Sequence, residues 1–187
     1  NIERATLPQL FEQPYLLFTG KRYAYKNFDR LVQSLIPIMQ TNPDLYLVCA
    51  GGGAFKNAEL TQLKTLHLNH RVIYQPIHDN EQLASLYNHA QCLVYPSLYE
   101  GFGLPIIEAF ACGCPVITSK GSSTAEIAGD AAVLIDPNNT DEKKKKIREV
   151  FNNSSLQNQL VQLGHNRAHL FNWDKTGNQT LKLYQAI

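Results

Sequence analysis

Short apolar runs alternate with helical stripes along almost the whole chain. Residues 15–19, 45–50, 71–74, 91–95, 115–118 and 132–135 are brief and largely apolar, with β-branched or aromatic side chains, as buried strands are. Between them the apolar spacing lengthens. Phe28, Leu31, Val32, Leu35 and Ile38 predict a helix over 28–39, and further helices are predicted over 58–68, 80–88, 104–113 and 124–128. Asp79 stands where it would cap the 80–88 helix. After the last strand only helical patterns follow, over 141–152, 155–170 and 174–186, and the charge run 143–146 reads as a solvated face of the first of these.

Repeated strand–helix units with near-continuous apolar strands predict an α/β fold: a doubly wound parallel sheet of about six strands, Rossmann-like, with helices on both faces. No repeat or long linker divides the chain, so residues 1–187 are expected to form a single domain. In the common strand order 3-2-1-4-5-6, strands one and four are neighbours at the switch point, where ligands bind beyond the carboxyl ends. The loop after strand one is Gly20-Lys21-Arg22-Tyr23-Ala24-Tyr25-Lys26-Asn27, the most basic of the chain. The loop after strand four runs from Pro96 to Leu104 and holds Glu100-Gly101-Phe102-Gly103. Side by side they make an anion site, since a glycine turn opening a helix presents unpaired N–H groups and a favourable dipole. That helix end is worth only about 0.3–1 kcal/mol per anionic charge. A diphosphate therefore also needs Arg22 and Lys26, with Lys21 a lesser candidate.

Glu108 sits among Ile106, Ile107, Ala109, Phe110 and Ala111 and is expected to be buried, a costly position unless hydroxyls such as those of a ribose hydrogen-bond it. Glu100 is expected at the crevice mouth. Gly51-Gly52-Gly53 lacks the spacing of a dinucleotide fingerprint and reads as a tight turn. Ser122-Ser123-Thr124 reads as a helix cap. His67, His70, His78 and His89 have no acid or cysteine to complete a ligand set, so no metal site is predicted. No P-loop, G-x-S-x-G or Cys/His pair points to other chemistry.

Composition narrows the partners. Seventeen basic and sixteen acidic side chains nearly cancel, so no global field for nucleic acid or an anionic membrane is implied. The apolar runs are far too short to span a bilayer, no secretory leader is read, and Asn1 in place of an initiator methionine suggests a piece of a longer protein. Four cysteines without C-x-x-C spacing read as small buried thiols in a reducing cytoplasm.

The stretch from Pro96 to Ile117, with Glu100 and Glu108 in an E-x7-E pattern, resembles the carboxyl-terminal, donor-binding half of the group 1 (family 4) glycosyltransferases, retaining enzymes of GT-B fold. Gly20 to Asn27, Gly129-Asp130-Ala131-Ala132 and Phe171-Asn172-Trp173 support the resemblance, which spans the chain from about residue 15. It implies hexosyl transfer from a nucleoside-diphosphate sugar, GDP-mannose or a UDP-hexose, without a metal or other cofactor. Arg22, Lys26 and the amides of Phe102, Gly103 and Leu104 would meet the diphosphate, Glu108 the ribose, and Glu100 the donor sugar. The base would rest near Gln75-Pro76-Ile77. Relatives commonly place arginine directly after the glycine, where Lys21 stands here, so either Lys21 or Arg22 is the match. A glycan or lipid-linked acceptor would bind an amino-terminal domain absent from this chain, toward which the last helix would cross. The fragment alone would be inactive, and the full-length protein cytoplasmic or at the inner membrane face. A noncatalytic nucleotide-sugar-binding module and a sugar-nucleotide epimerase of GT-B fold are the alternatives.

Overall fold

The computed structural model describes residues 12–186. Its six strands are β1 (Tyr15–Thr19), β2 (Tyr46–Ala50), β3 (Val72–Gln75), β4 (Cys92–Tyr95), β5 (Val116–Ser119) and β6 (Val133–Ile135). They form one sheet in the order β3-β2-β1-β4-β5-β6, and every pair is parallel. The expected doubly wound architecture is therefore present, with the crossover between β1 and β4.

Alternate residues of each strand feed opposite cores, as the two-residue strand period requires. Leu16, Phe18, Cys49 and Val94 pack with the stripe of helix α1 (Phe28–Thr41), with Leu63 of α2 (Asn57–Thr65), and with Ile147 and Val150 of α6 (Thr140–Phe151). Tyr15, Leu17, Val48 and Leu93 pack on the other face, against α3 (Asn80–His89), α4 (Leu104–Ala111) and α5 (Ser122–Ala128). Helix α7 (Ser154–Ala168) follows, and α8 (Trp173–Gln185) buries none of its residues. Among the described residues no helix is long and apolar enough to cross a membrane. Cys49, Cys92 and Cys114 are buried free thiols and Cys112 is half-buried.

Boundaries move for local reasons. Helix α2 stops before the predicted end because His67 takes a left-handed φ of 57°. Asp79 does cap α3, accepting from Gln82 N at 2.7 Å. The serines at 122–123 do not cap α5; Gly121 holds that place, and Thr124 instead donates to the Ser119 and Gly121 carbonyls.

The 143–146 run is not wholly solvated. Lys143 shares the buried stripe of α6 with Ile147 and Val150, and its ammonium reaches the Pro137 carbonyl at 3.2 Å. Burial, aided by Arg30 and opposed by Asp136, lowers its pKa from 10.5 to about 8. Below pH 8 the folded chain thus carries the full penalty, and stability gains as pH rises from 8 toward 10.5, where only the unfolded chain keeps the proton. Lys143→Met is expected to stabilise the protein by about 1–3 kcal/mol at pH 7, with a smaller gain at pH 9.5. Urea melts at both values measure the difference; a gain independent of pH would refute the burial penalty.

Candidate functional site

Strand β1 pairs with both β2 and β4, with Leu16 opposite Cys92 and Leu17 opposite Leu93, so the loops after β1 and β4 leave the same sheet edge together. They are stitched by the main chain: Leu98 N donates to the Tyr25 carbonyl at 2.7 Å. Asn27, left-handed at φ 61°, ends the 3₁₀ turn Ala24–Lys26 and donates from Nδ2 to the carbonyls of Pro96 (3.1 Å) and Pro137 (2.6 Å). This rigid junction presents Lys26. Its Nζ donates to Glu100 Oε1 at 2.6 Å and to the Tyr95 hydroxyl at 2.8 Å, and both charged side chains are 12% exposed. The ammonium also lies over the rings of Tyr95 and Tyr25, 4.7 and 5.4 Å from their centroids. Ser123 of α5 donates to the Glu100 carbonyl at 2.8 Å and fixes that loop from behind.

Gly101 and Phe102 are exposed, and Gly103 starts α4 with φ 113° and no side-chain cap. A β-carbon there would sit 3.2 Å from Ile106 Cδ1 in a conformation that L side chains rarely adopt, so glycine is required at the turn. No side chain caps α4, Pro105 has no N–H and Ile106 N donates to the Gly103 carbonyl at 2.9 Å, so the helix end offers an anion its dipole and the Leu104 amide, with the Leu104 side chain half-exposed beside it. The loop after β2 closes on the same spot: a β-carbon on Gly52 would come within 2.2 Å of the Gly20 carbonyl oxygen. Pro76 and Ile77, both half-buried, follow β3 on the far side of that glycine turn, where Ile77 Cγ1 lies 4.0 Å from a β-carbon built on Gly51.

Two expected residues stand differently. Arg22 is committed within the protein: Nε contacts Glu59 Oε1 at 2.7 Å, and Nη2 donates to the carbonyls of Gly53 (2.8 Å) and Ala54 (3.0 Å). Its guanidinium rests against Phe55 and Phe28, 4.6 and 5.9 Å from the ring centroids. A cation so paired braces the β2–α2 loop. Lys21 stays exposed, 5.5 Å over the Tyr23 ring. Glu108 is exposed rather than buried, because α4 turns only Ile106, Ala109 and Phe110 to the core. Its Oε2 accepts from the Tyr87 hydroxyl at 3.0 Å. Burial, and then the Glu108 charge, push the Tyr87 phenol well above its ordinary value, so it keeps the proton it donates.

Tyr95, Asn27, Tyr87 and Ser123 escaped the sequence reading. The only signal for the tyrosines is a polar tip on an otherwise apolar strand or stripe, where a buried hydroxyl needs a partner. Behind the turn, a groove of about 530 Å³ runs between Phe102, Leu104 and Ile107 on one side and Phe171 and Trp173 on the other; neither Lys26 nor Glu100 lines it.

Residues 3–167 match the family model described as Glycosyl transferases group 1. The chain is 35% identical over 182 residues to the O-antigen chain mannosyltransferase B of Escherichia coli, covering 96% of this chain and 48% of the relative. Sucrose-phosphate synthase of Thermosynechococcus elongatus superposes with a TM-score of 0.82 at 27% identity, over 94% of this chain and 46% of that one. The C-terminal domain of a group 1 family glycosyl transferase from Francisella tularensis superposes with a TM-score of 0.75 at 25% identity, over 90% of this chain and 92% of that domain. The chain spans about half the length of the curated relatives it matches.

Proposed function

Given that this chain belongs to the group 1 glycosyl transferases, we propose that it is the donor-binding half of a retaining hexosyltransferase, with the crevice beyond β1 and β4 as its nucleotide-sugar site. The observation that carries the reading is the 2.6 Å contact between Lys26 and Glu100, two residues far apart in sequence that meet at the open end of a glycine turn. Lys26, Lys21 and the amino end of α4 hold the diphosphate, Glu108 takes the ribose hydroxyls beside Tyr87, and Pro76 and Ile77 flank the base. Glu100 faces the sugar. The mannosyltransferase relative favours mannose as the transferred sugar, and GDP-mannose is the donor proposed.

The acceptor hydroxyl oxygen attacks the anomeric carbon on the face from which the diphosphate departs. As the carbon–phosphate-oxygen bond breaks, the leaving oxygen takes the hydroxyl proton, and Lys26 and the helix end stabilise its developing charge. Donor binding draws its positive charge from these groups, without a metal. The glycan or lipid-linked acceptor sits on the remainder of the enzyme, against which the apolar side of α8, with Trp173, Leu181 and Tyr184 exposed, lands. The whole enzyme is proposed to work in the cytoplasm, at the inner membrane face where the acceptor is lipid-linked.

Calorimetric titration of the chain with GDP, UDP and ADP tests the site. Weak binding of GDP in preference to the others is expected, with no sugar transfer by the chain alone; failure of all three to bind refutes the reading. Glu108→Gln is expected to weaken nucleotide binding about tenfold, the worth of a hydrogen bond to a charged group. The 2′,3′-dideoxynucleotide should bind both variants alike, and an equal loss with it would remove Glu108 from the ribose.

A further inference from the structure

Tyr95 closes β4 with its side chain 2% exposed, and its place is fixed on two sides. It pairs in register with Thr118 of β5, whose hydroxyl donates to the Tyr95 carbonyl at 3.0 Å. The ring is therefore anchored in the sheet, whereas Lys26 reaches the crevice on a flexible four-carbon stem. The phenol oxygen accepts from Lys26 Nζ at 2.8 Å while the ring face lies 4.7 Å from the same nitrogen. An ammonium has three donors. One goes to Glu100 and one to Tyr95, which leaves a third.

We propose that Tyr95 is the positioning residue of the nucleotide-sugar site: its hydroxyl, as the second anchor beside Glu100, fixes the orientation of the Lys26 ammonium and aims its remaining N–H at the donor's diphosphate. The inference rests on the reading of Lys26 as the diphosphate cation. Without the hydroxyl, the ammonium keeps Glu100 as its one hydrogen-bonded anchor and turns freely about that contact, so its remaining N–H groups are no longer aimed. Burial, reinforced by the Glu100 carboxylate, pushes the Tyr95 phenol above its ordinary value, so the group stays neutral and remains an acceptor for Lys26.

Titration of the wild-type chain, Tyr95→Phe, Lys26→Met and the double variant with GDP and UDP, each beside guanosine and uridine, tests this. Tyr95→Phe is expected to weaken diphosphate binding about tenfold and leave nucleoside binding unchanged. The double variant should bind no worse than Lys26→Met alone, as a hydroxyl that acts through that ammonium requires. If Tyr95→Phe lowers the melting point, the titrations run well below it and the coupling decides. Independent, additive losses, or equal losses for nucleoside and diphosphate, overturn the positioning role and leave the proposed site standing. Full diphosphate affinity in Tyr95→Phe with a loss in Lys26→Met does the same. An unaffected Lys26→Met overturns both.

Discussion

Lys26→Met is expected to lower nucleoside-diphosphate affinity by about 30- to 1000-fold and to reduce sugar transfer by the full-length enzyme by at least 10²-fold. The size follows from where the ammonium sits. It is 12% exposed and lies against two aromatic rings. Removing one member of a buried, hydrogen-bonded charge set costs about 2–5 kcal/mol at a binding site. Loss of a donor aimed at developing charge costs transfer about 10²–10³-fold. The partner residue should respond with opposite signs. Glu100→Gln removes an anion from beside the diphosphate and frees Lys26, so diphosphate affinity should rise several-fold while transfer falls. Calorimetry on the chain and transfer assays on the full-length enzyme separate the two effects. Lys26→Met within threefold of wild type in both would sink the site.

That junction was legible in the sequence for a topological reason. Once six short strands alternate with helices, the switch-point rule places the loops after the first and fourth strands together, and Lys26 and Glu100 do meet there. The glycine turn was legible too, since Gly103 adopts a backbone that other residues avoid. What sequence could not give is the direction in which a side chain leaves its element. In α4 every position but Glu108 is apolar or proline, so no stripe is visible, and only packing shows that Ile106, Ala109 and Phe110 turn inward and Glu108 outward. The lysine run hides the same ambiguity, because Lys143 sits four residues before Ile147 and inherits its face. Arg22 was missed as a brace because its partner lies on another element. Nothing local announces that Glu59 of α2 will reach back to it.

Glu59→Ala is expected to cost about 3–5 kcal/mol of stability, more than Arg22→Met, which should cost about 1–3 kcal/mol. Glu59 serves twice. One carboxylate oxygen holds Arg22 at 2.7 Å and the other accepts from Lys56 N at 2.6 Å, closing the first turn of α2. Truncation therefore removes a cap and leaves a guanidinium, 4% exposed, without its counter-charge. Arg22→Met instead removes the charge itself and keeps the packing against Phe55, and it also disposes of Nη1, which is buried without a hydrogen-bond partner among the described residues. Urea melts of the two variants give the order. The same Arg22→Met protein, titrated with GDP below its melting point, should bind within about threefold of wild type, because its guanidinium is already spent on Glu59 and two carbonyls. A loss matching that of Lys26→Met would return Arg22 to the diphosphate and make the Glu59 contact a resting pose that the ligand breaks.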